Sequence, residues 1–145
     1  MAEHIADLAA FVQAAPTSYH AAAEMARRLT AAGFRQLDER EEWTDVVGKC
    51  FIVRQGAVVA WISPDSLAAP TGARVVGTHT DSPAFKVKPG ELLQSAGWTQ
   101  IGVEIYGGPL LNSWLDRDLG VAGRLVTRDG AVHLVRTGAI ARIPQ

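Results

Sequence analysis

Arg74-Val75-Val76-Gly77-Thr78-His79-Thr80-Asp81-Ser82-Pro83 reads as a short apolar strand that delivers a histidine and an aspartate to its carboxyl end. The valine pair suits a strand buried on both faces, with neighbouring strands beside it and helices over the sheet. In extended backbone, residues two apart project to the same side, which puts His79 and Asp81 together. Ligands of open α/β sheets gather at the carboxyl ends of strands. An imidazole is a zinc donor, and a ligating histidine needs a carboxylate or carbonyl on its other nitrogen. Asp81 is placed to meet that need, directly or through water. His-x-Asp by itself is a weak signal, and a polar histidine with no metal role fits the local chemistry too.

Upstream, helices are expected. Ile5, Leu8, Ala9 and Val12 recur at helical spacing, and Ala15-Pro16 ends the run. Ser18 can cap a second helix over 19–32, which Gly33 closes. Met25 and Leu29 share one stripe of it. The expectation is two helices packed on a sheet, an arrangement without functional content. Residues 50–54 and 57–62 are apolar, partly β-branched runs, and Gln55-Gly56 between them makes a hairpin. Residues 65–73 are a small loop containing proline and glycine.

Downstream of residue 84 the helical period disappears. Residues 100–106, 119–127 and 131–137 are strand candidates, with Arg128-Asp129-Gly130 turning the last pair. The composition changes near Pro89-Gly90. This organisation gives an α/β part over 1–89 and the beginning of a β-rich part over 90–145.

Composition narrows the function classes. With 48% apolar and 20% charged residues, the 145-residue chain is ordinary globular material. A chain this size buries roughly 68–70% of its unfolded surface, so a core needs no disulfides. A formal charge of −1 provides no basic field for nucleic acid. No window approaches the ~18 apolar residues of a membrane span. Glu3 and Asp7 interrupt any export signal, and Cys50 is the sole cysteine. These features point to a cytoplasmic protein. Cys50 reads as a small buried residue rather than a nucleophile.

The ligand count falls short. Catalytic zinc takes three protein ligands and a water. His4, His20 and His133 show no ligand spacing to His79. The remaining donors are either distant carboxylates or lie outside this sequence. Trp114-Leu115-Asp116-Arg117-Asp118-Leu119 reads first as a turn fixed by Arg–Asp hydrogen bonds, with a substrate-contacting loop as the alternative. Tyr106-Gly107-Gly108-Pro109 is a turn that lacks the residues of a phosphate loop. Lys86 and Lys88 face one way on a short strand, either solvated or aimed at an acidic substrate.

Taken in order, several segments resemble the M18 family of metallo-aminopeptidases, of the aspartyl aminopeptidase type. They begin at Phe11-Val12 and Pro16-Thr17-Ser18-Tyr19-His20-Ala21, and run through Leu29, Gly33-Phe34, Leu37 and Trp43. They are sharpest at His79-Thr80-Asp81-Ser82-Pro83 with Phe85-Lys86-Val87-Lys88-Pro89. They resume at Val103-Glu104-Ile105-Tyr106-Gly107-Gly108, Trp114-Leu115-Asp116-Arg117-Asp118-Leu119 and Val121-Ala122-Gly123-Arg124, and reach Arg142-Ile143-Pro144. Pro109, Leu111 and Leu115 depart from the family pattern, at positions that bear on loop shape and substrate preference rather than on the metal.

The resemblance implies an N-terminal part of an α/β zinc-peptidase catalytic domain, followed by the start of an inserted β-rich dimerisation domain. It implies that His79 is a zinc ligand and that Asp81 is the catalytic-site aspartate that orients it. The implied reaction is removal of N-terminal residues, acidic ones among them, from a peptide substrate by water activated at a two-zinc site. The implied assembly is a homo-oligomer, commonly a dodecamer. Family chains are much longer, and their bridging aspartate, glutamate general base and remaining ligands match nothing before Gln145. The 145 residues alone are therefore expected to be inactive, with an incomplete zinc site. Two alternatives stay open on the residues themselves: a non-catalytic assembly module, and an unrelated metal-binding domain built on His79.

Overall fold

A computed structural model describes residues 2–64, 72–90 and 92–145. The chain is mixed α/β, as the sequence leads one to expect. Helices α1 (Ala2–Ala14) and α2 (Ser18–Ala31) precede strands β1 (Arg35–Gln36), β2 (Gly48–Arg54), β3 (Ala57–Ser63) and β4 (Ala84–Val87). Then come β5 (Leu93–Ser95), β6 (Trp98–Gln100), β7 (Val103–Tyr106), a 3-10 turn (Leu111–Trp114), β8 (Ala122–Val126) and β9 (Val132–Arg136). Two compact units divide the chain: residues 1–81 with 121–137, and residues 82–120 with 138–145. The hairpin of β8 and β9 thus belongs with the helical unit, although its sequence lies past residue 90.

In the first unit, β1, β2 and β3 form one sheet in that order. The β2–β3 pair is antiparallel from Gly48↔Ser63 to Arg54↔Ala57, so Gln55-Gly56 is the two-residue turn read from the sequence. Gln55 takes a left-handed φ of 55° there. Cys50 and Phe51 are fully buried, and Ala21 and Ala22 of α2 complete the core with Leu37. The alanines let helix and sheet approach closely, which two larger side chains would prevent. Leu37 is fixed by its amide, which donates to the Phe51 carbonyl at 2.9 Å.

The cap of α2 is Thr17, one residue earlier than expected. Its hydroxyl accepts from the His20 amide at 3.3 Å and sits 2.8 Å from His20 Nδ1. Thr17 rather than Ser18 has the extended backbone a cap requires, with φ −141° and ψ 165°. At the other end, Gly33 takes φ 82°, and Phe34 N–H donates to the Leu29 carbonyl at 3.0 Å. That bond, with Gly33 N–H on the Thr30 carbonyl, is a Schellman ending.

The helices do not both lie on the sheet. α2 does, whereas α1 is held to α2 through Arg28, which forks onto Asp7 at 2.8 Å and stacks over the Phe11 ring at 5.2 Å. The Ile5, Leu8 and Val12 stripe of α1 stays exposed. Periodicity gives the helix but not the face that packs: Phe11, beneath Arg28, meets α2 while the stripe does not. Glu24 accepts from Arg27 and from Arg28, and these bonds hold its carboxyl down to about 2.

The β8–β9 hairpin pairs Ala122↔Arg136 through Val126↔Val132. Its turn is the expected one, with Gly130 at φ 86° and Asp129 accepting from Thr127. It meets α2 where the Arg124 guanidinium lies 4.9 Å over the Tyr19 ring.

In the second unit, β4 and β7 pair antiparallel, placing Lys86 opposite Glu104. Phe85 meets Trp114 edge to face at 5.1 Å. β5 and β6 form a tight hairpin across Ala96-Gly97, both with positive φ, where the sequence had suggested only a strand beginning at residue 100. The expected strand over 100–106 shortens to β7.

One expectation fails outright. Residues 74–78 form no strand, and Val75 and Val76 are 86% and 90% exposed. Among the described residues no strand pairs with this run. A β-branched sequence has no ladder to join without an adjacent strand, so the segment stays irregular. The loop expected at 65–73 lies outside the described residues over 65–71.

Candidate metal centre

His79 and Asp81 meet as their spacing suggests, although not at a strand end. His79 Nδ1 lies 2.6 Å from the Asp81 backbone carbonyl. A carbonyl only accepts, so Nδ1 carries the proton and donates it. The lone pair of the ring is then on Nε2. The Asp81 carboxylate oxygen is 3.5 Å from Nδ1, outside good hydrogen-bonding range, so the carbonyl rather than the carboxylate sets the ring. The His79 side chain is 79% exposed and that of Asp81 50%.

Thr80, between them, turns the other way. Its hydroxyl donates to the Gly56 carbonyl at 2.6 Å. An open cleft of about 490 Å³ lies alongside, lined by Ser18, Tyr19, Arg54, Gln55, Thr80 and Asp81 among others. Arg54 Nε is 3.5 Å from the Glu39 carboxylate. The sequence singled out Gln55-Gly56 only as a turn. Nothing in its spacing signalled that the turn reaches residue 80.

The donor set fits one position of a zinc site. Nε2 of His79 is a suitable ligand atom whose other nitrogen is already oriented, as metal-binding imidazoles require. Among the described residues no group of three or more His, Cys, Asp or Glu side chains comes close enough to hold a metal. His4 lies on exposed α1 and His133 on exposed β9. His20 is occupied with Thr17, and burial, followed by the charge of Arg136, lowers its pKa.

The other candidates resolve structurally. Asp118 pairs at 2.5 Å with Arg142, not with the adjacent Arg117, and the Leu119↔Ala141 and Leu115↔Ile143 bridges fix the same loop. The Arg–Asp bond expected within the cluster is thus replaced by one to an arginine 24 positions away. Gly107 takes φ 71° in the Tyr106–Pro109 turn. Cys50 is fully buried against Arg35, as expected of an inert thiol.

Comparison with known proteins shows the family to which the chain belongs. The model of the aminopeptidase I zinc metalloprotease (M18) family matches residues 11–145. A probable M18 family aminopeptidase 2 of Streptomyces coelicolor is 52% identical over 98% of this chain, which covers 33% of that relative. Yeast aminopeptidase 1 superimposes with a TM-score of 0.83 at 34% identity, over 94% of this chain and 34% of its own. The structure of a Saccharomyces cerevisiae mApe1 dodecamer matches equally, with a TM-score of 0.83 and 34% identity over the same shares. The chain therefore spans about a third of the length of the relatives it matches.

Proposed function

Because the chain belongs to the M18 family of aminopeptidase I zinc metalloproteases, we propose that it contributes the first zinc-ligand histidine of an aminopeptidase, with Asp81 orienting that ligand. The observation that carries the reading is the His79 ring itself. Its Nδ1–H is satisfied by the Asp81 carbonyl, and its Nε2 is left as an exposed donor. When bound, a pair of zinc ions would polarise the scissile carbonyl and lower the pKa of the attacking water. The chain's own part is narrower. His79 supplies one nitrogen lone pair in a fixed tautomer, and Asp81 holds the ring against rotation. The substrate class is a peptide with a free N-terminus, acidic N-terminal residues included. The dodecamer formed by the yeast neighbour supports a homo-oligomeric assembly, and the single buried thiol suits a reducing cytoplasm.

A chimera tests this. The chain replaces the matching third of the Streptomyces coelicolor relative, and zinc content and peptide hydrolysis are measured with and without His79→Ala. The substitution should strip about one zinc equivalent and bring turnover to background, since a catalytic zinc holds only three protein ligands. A His79→Ala chimera that keeps parental zinc and turnover would overturn the assignment.

A further inference from the structure

We propose that Thr80 is a positioning residue: its hydroxyl latches the His79–Asp81 segment onto the β2–β3 hairpin tip, and the geometry of the His79 ring depends on it. The inference rests on the reading of His79 as a metal donor.

The segment needs such a device. Residues 72–83 adopt no regular structure, and Val75 and Val76 lie in solvent, so no ladder holds the approach to His79. An irregular, exposed chain is an unsuitable mount for a ligand that must be held to within about half an ångström. The Thr80 hydroxyl donates at 2.6 Å to the carbonyl of Gly56, 24 residues earlier. Thr80 is half-buried, while the residues on either side of it are exposed.

The acceptor is itself fixed. Gly56 stands against the first turn of α2 so closely that a Cβ there would be 2.6 Å from Ser18 Oγ and 2.9 Å from Ser18 Cβ. The preceding Gln55 is already in left-handed backbone, and both neighbours of the turn are locked in register by Arg54↔Ala57. The Gly56 carbonyl therefore has little freedom to follow a moving partner. Helix α2, the hairpin tip and Thr80 form a continuous chain of contacts that ends one residue from each of His79 and Asp81.

The test compares Thr80→Val, which keeps the branched shape without the donor, with Thr80→Ser, which keeps the donor. In the 145-residue chain, conformational exchange over residues 78–81 by relaxation dispersion and the ¹⁵N signature of the His79 ring are read. Thr80→Val should raise the population of the released segment roughly tenfold, the factor that loss of one ordinary hydrogen bond gives. It should also convert the Nδ1–H tautomer into a mixture, while Thr80→Ser matches the parent. In the chimera, Thr80→Val should weaken zinc binding, and Thr80→Ser should restore it. Parental exchange and tautomer in Thr80→Val would overturn the latch, as would a Thr80→Ser variant as disturbed as the valine. A latch that behaves as expected in the chain, beside a chimera indifferent to His79→Ala, would instead sink the metal assignment and leave the positioning of the ring intact.

Discussion

Gly56→Ala places a methyl group where α2 leaves no room for one. The new Cβ would lie 2.6 Å from Ser18 Oγ, 2.9 Å from Ser18 Cβ and 3.3 Å from the Ser18 carbonyl carbon. The hydroxyl can rotate away, but the other two atoms are part of the helix and its stem. Overpacking of this kind costs about 1–3 kcal/mol. The alanine also restricts the unfolded chain, which returns about 0.4–1 kcal/mol. The net expectation spans roughly 0–2.6 kcal/mol of destabilisation, with a central value of about 1.3 kcal/mol. Urea denaturation followed by helical ellipticity suits the measurement, because both helices belong to the unit that carries Gly56. The midpoint should fall by roughly 0.5–1 M. Ser18→Gly removes the two nearest of these atoms, so the double variant should recover about 1 kcal/mol relative to the sum of the single changes. A Gly56→Ala chain as stable as the parent, with no coupling to Ser18→Gly, would refute the close approach. A loss that Ser18→Gly leaves untouched would show that the strain lies in the turn and not against the helix.

Other outcomes follow from the same contacts. Thr17→Ala should cost about 1 kcal/mol by removing the α2 cap, and Thr17→Ser should recover most of it, both read by thermal melts. Arg27 and then Arg28 hold the Glu24 carboxyl at about 2 instead of its ordinary 4.5, so its contribution to stability is complete above about pH 4.5 and vanishes as pH falls through 2. Glu24→Gln should accordingly flatten the acid side of the stability profile between those values, leaving the slope above pH 5 unchanged. The 145-residue chain by itself should show no zinc-dependent peptide hydrolysis, since among the described residues no three His, Cys, Asp or Glu side chains converge, where a catalytic zinc needs three ligands. Turnover of an aspartyl or glutamyl peptide that a chelator abolishes would contradict this.

What the sequence conveyed well was local. Gln55-Gly56 marks its hairpin because two apolar runs flank a turn that only a few residue pairs can make, and Gly33 ends α2 because the left-handed position suits glycine. His79 and Asp81 come together because two residues of spacing suffice. What escaped was the identity of partners. Val75-Val76 has every mark of a strand, yet a strand is a relation between two segments, and no neighbour meets it among the described residues. Ala96-Gly97 turns a hairpin with an alanine at φ 50°, a conformation alanine rarely takes, so composition gave no warning. Asp118 chooses Arg142 over the adjacent Arg117, and Thr80 chooses Gly56, across 24 residues in each case. Such pairings are decided by the path of the backbone, which local pattern does not carry.

The hairpin of β8 and β9 gives the order of events during synthesis a particular shape. Residues 1–81 emerge first, and the sheet of β1 to β3 closes through neighbours in sequence. The segment that lays Arg124 on Tyr19 and brings the Arg136 guanidinium to the Gln13 carbonyl at 3.2 Å emerges only after residues 82–120. At 5–20 residues per second, the ribosome takes about 2–8 s to make those intervening ~40 residues. For that interval the nascent unit holds its helices and sheet without its closing hairpin, and the surface around Tyr19 is open to any other strand that reaches it. The hairpin can take its place beside Tyr19 only once that interval has passed.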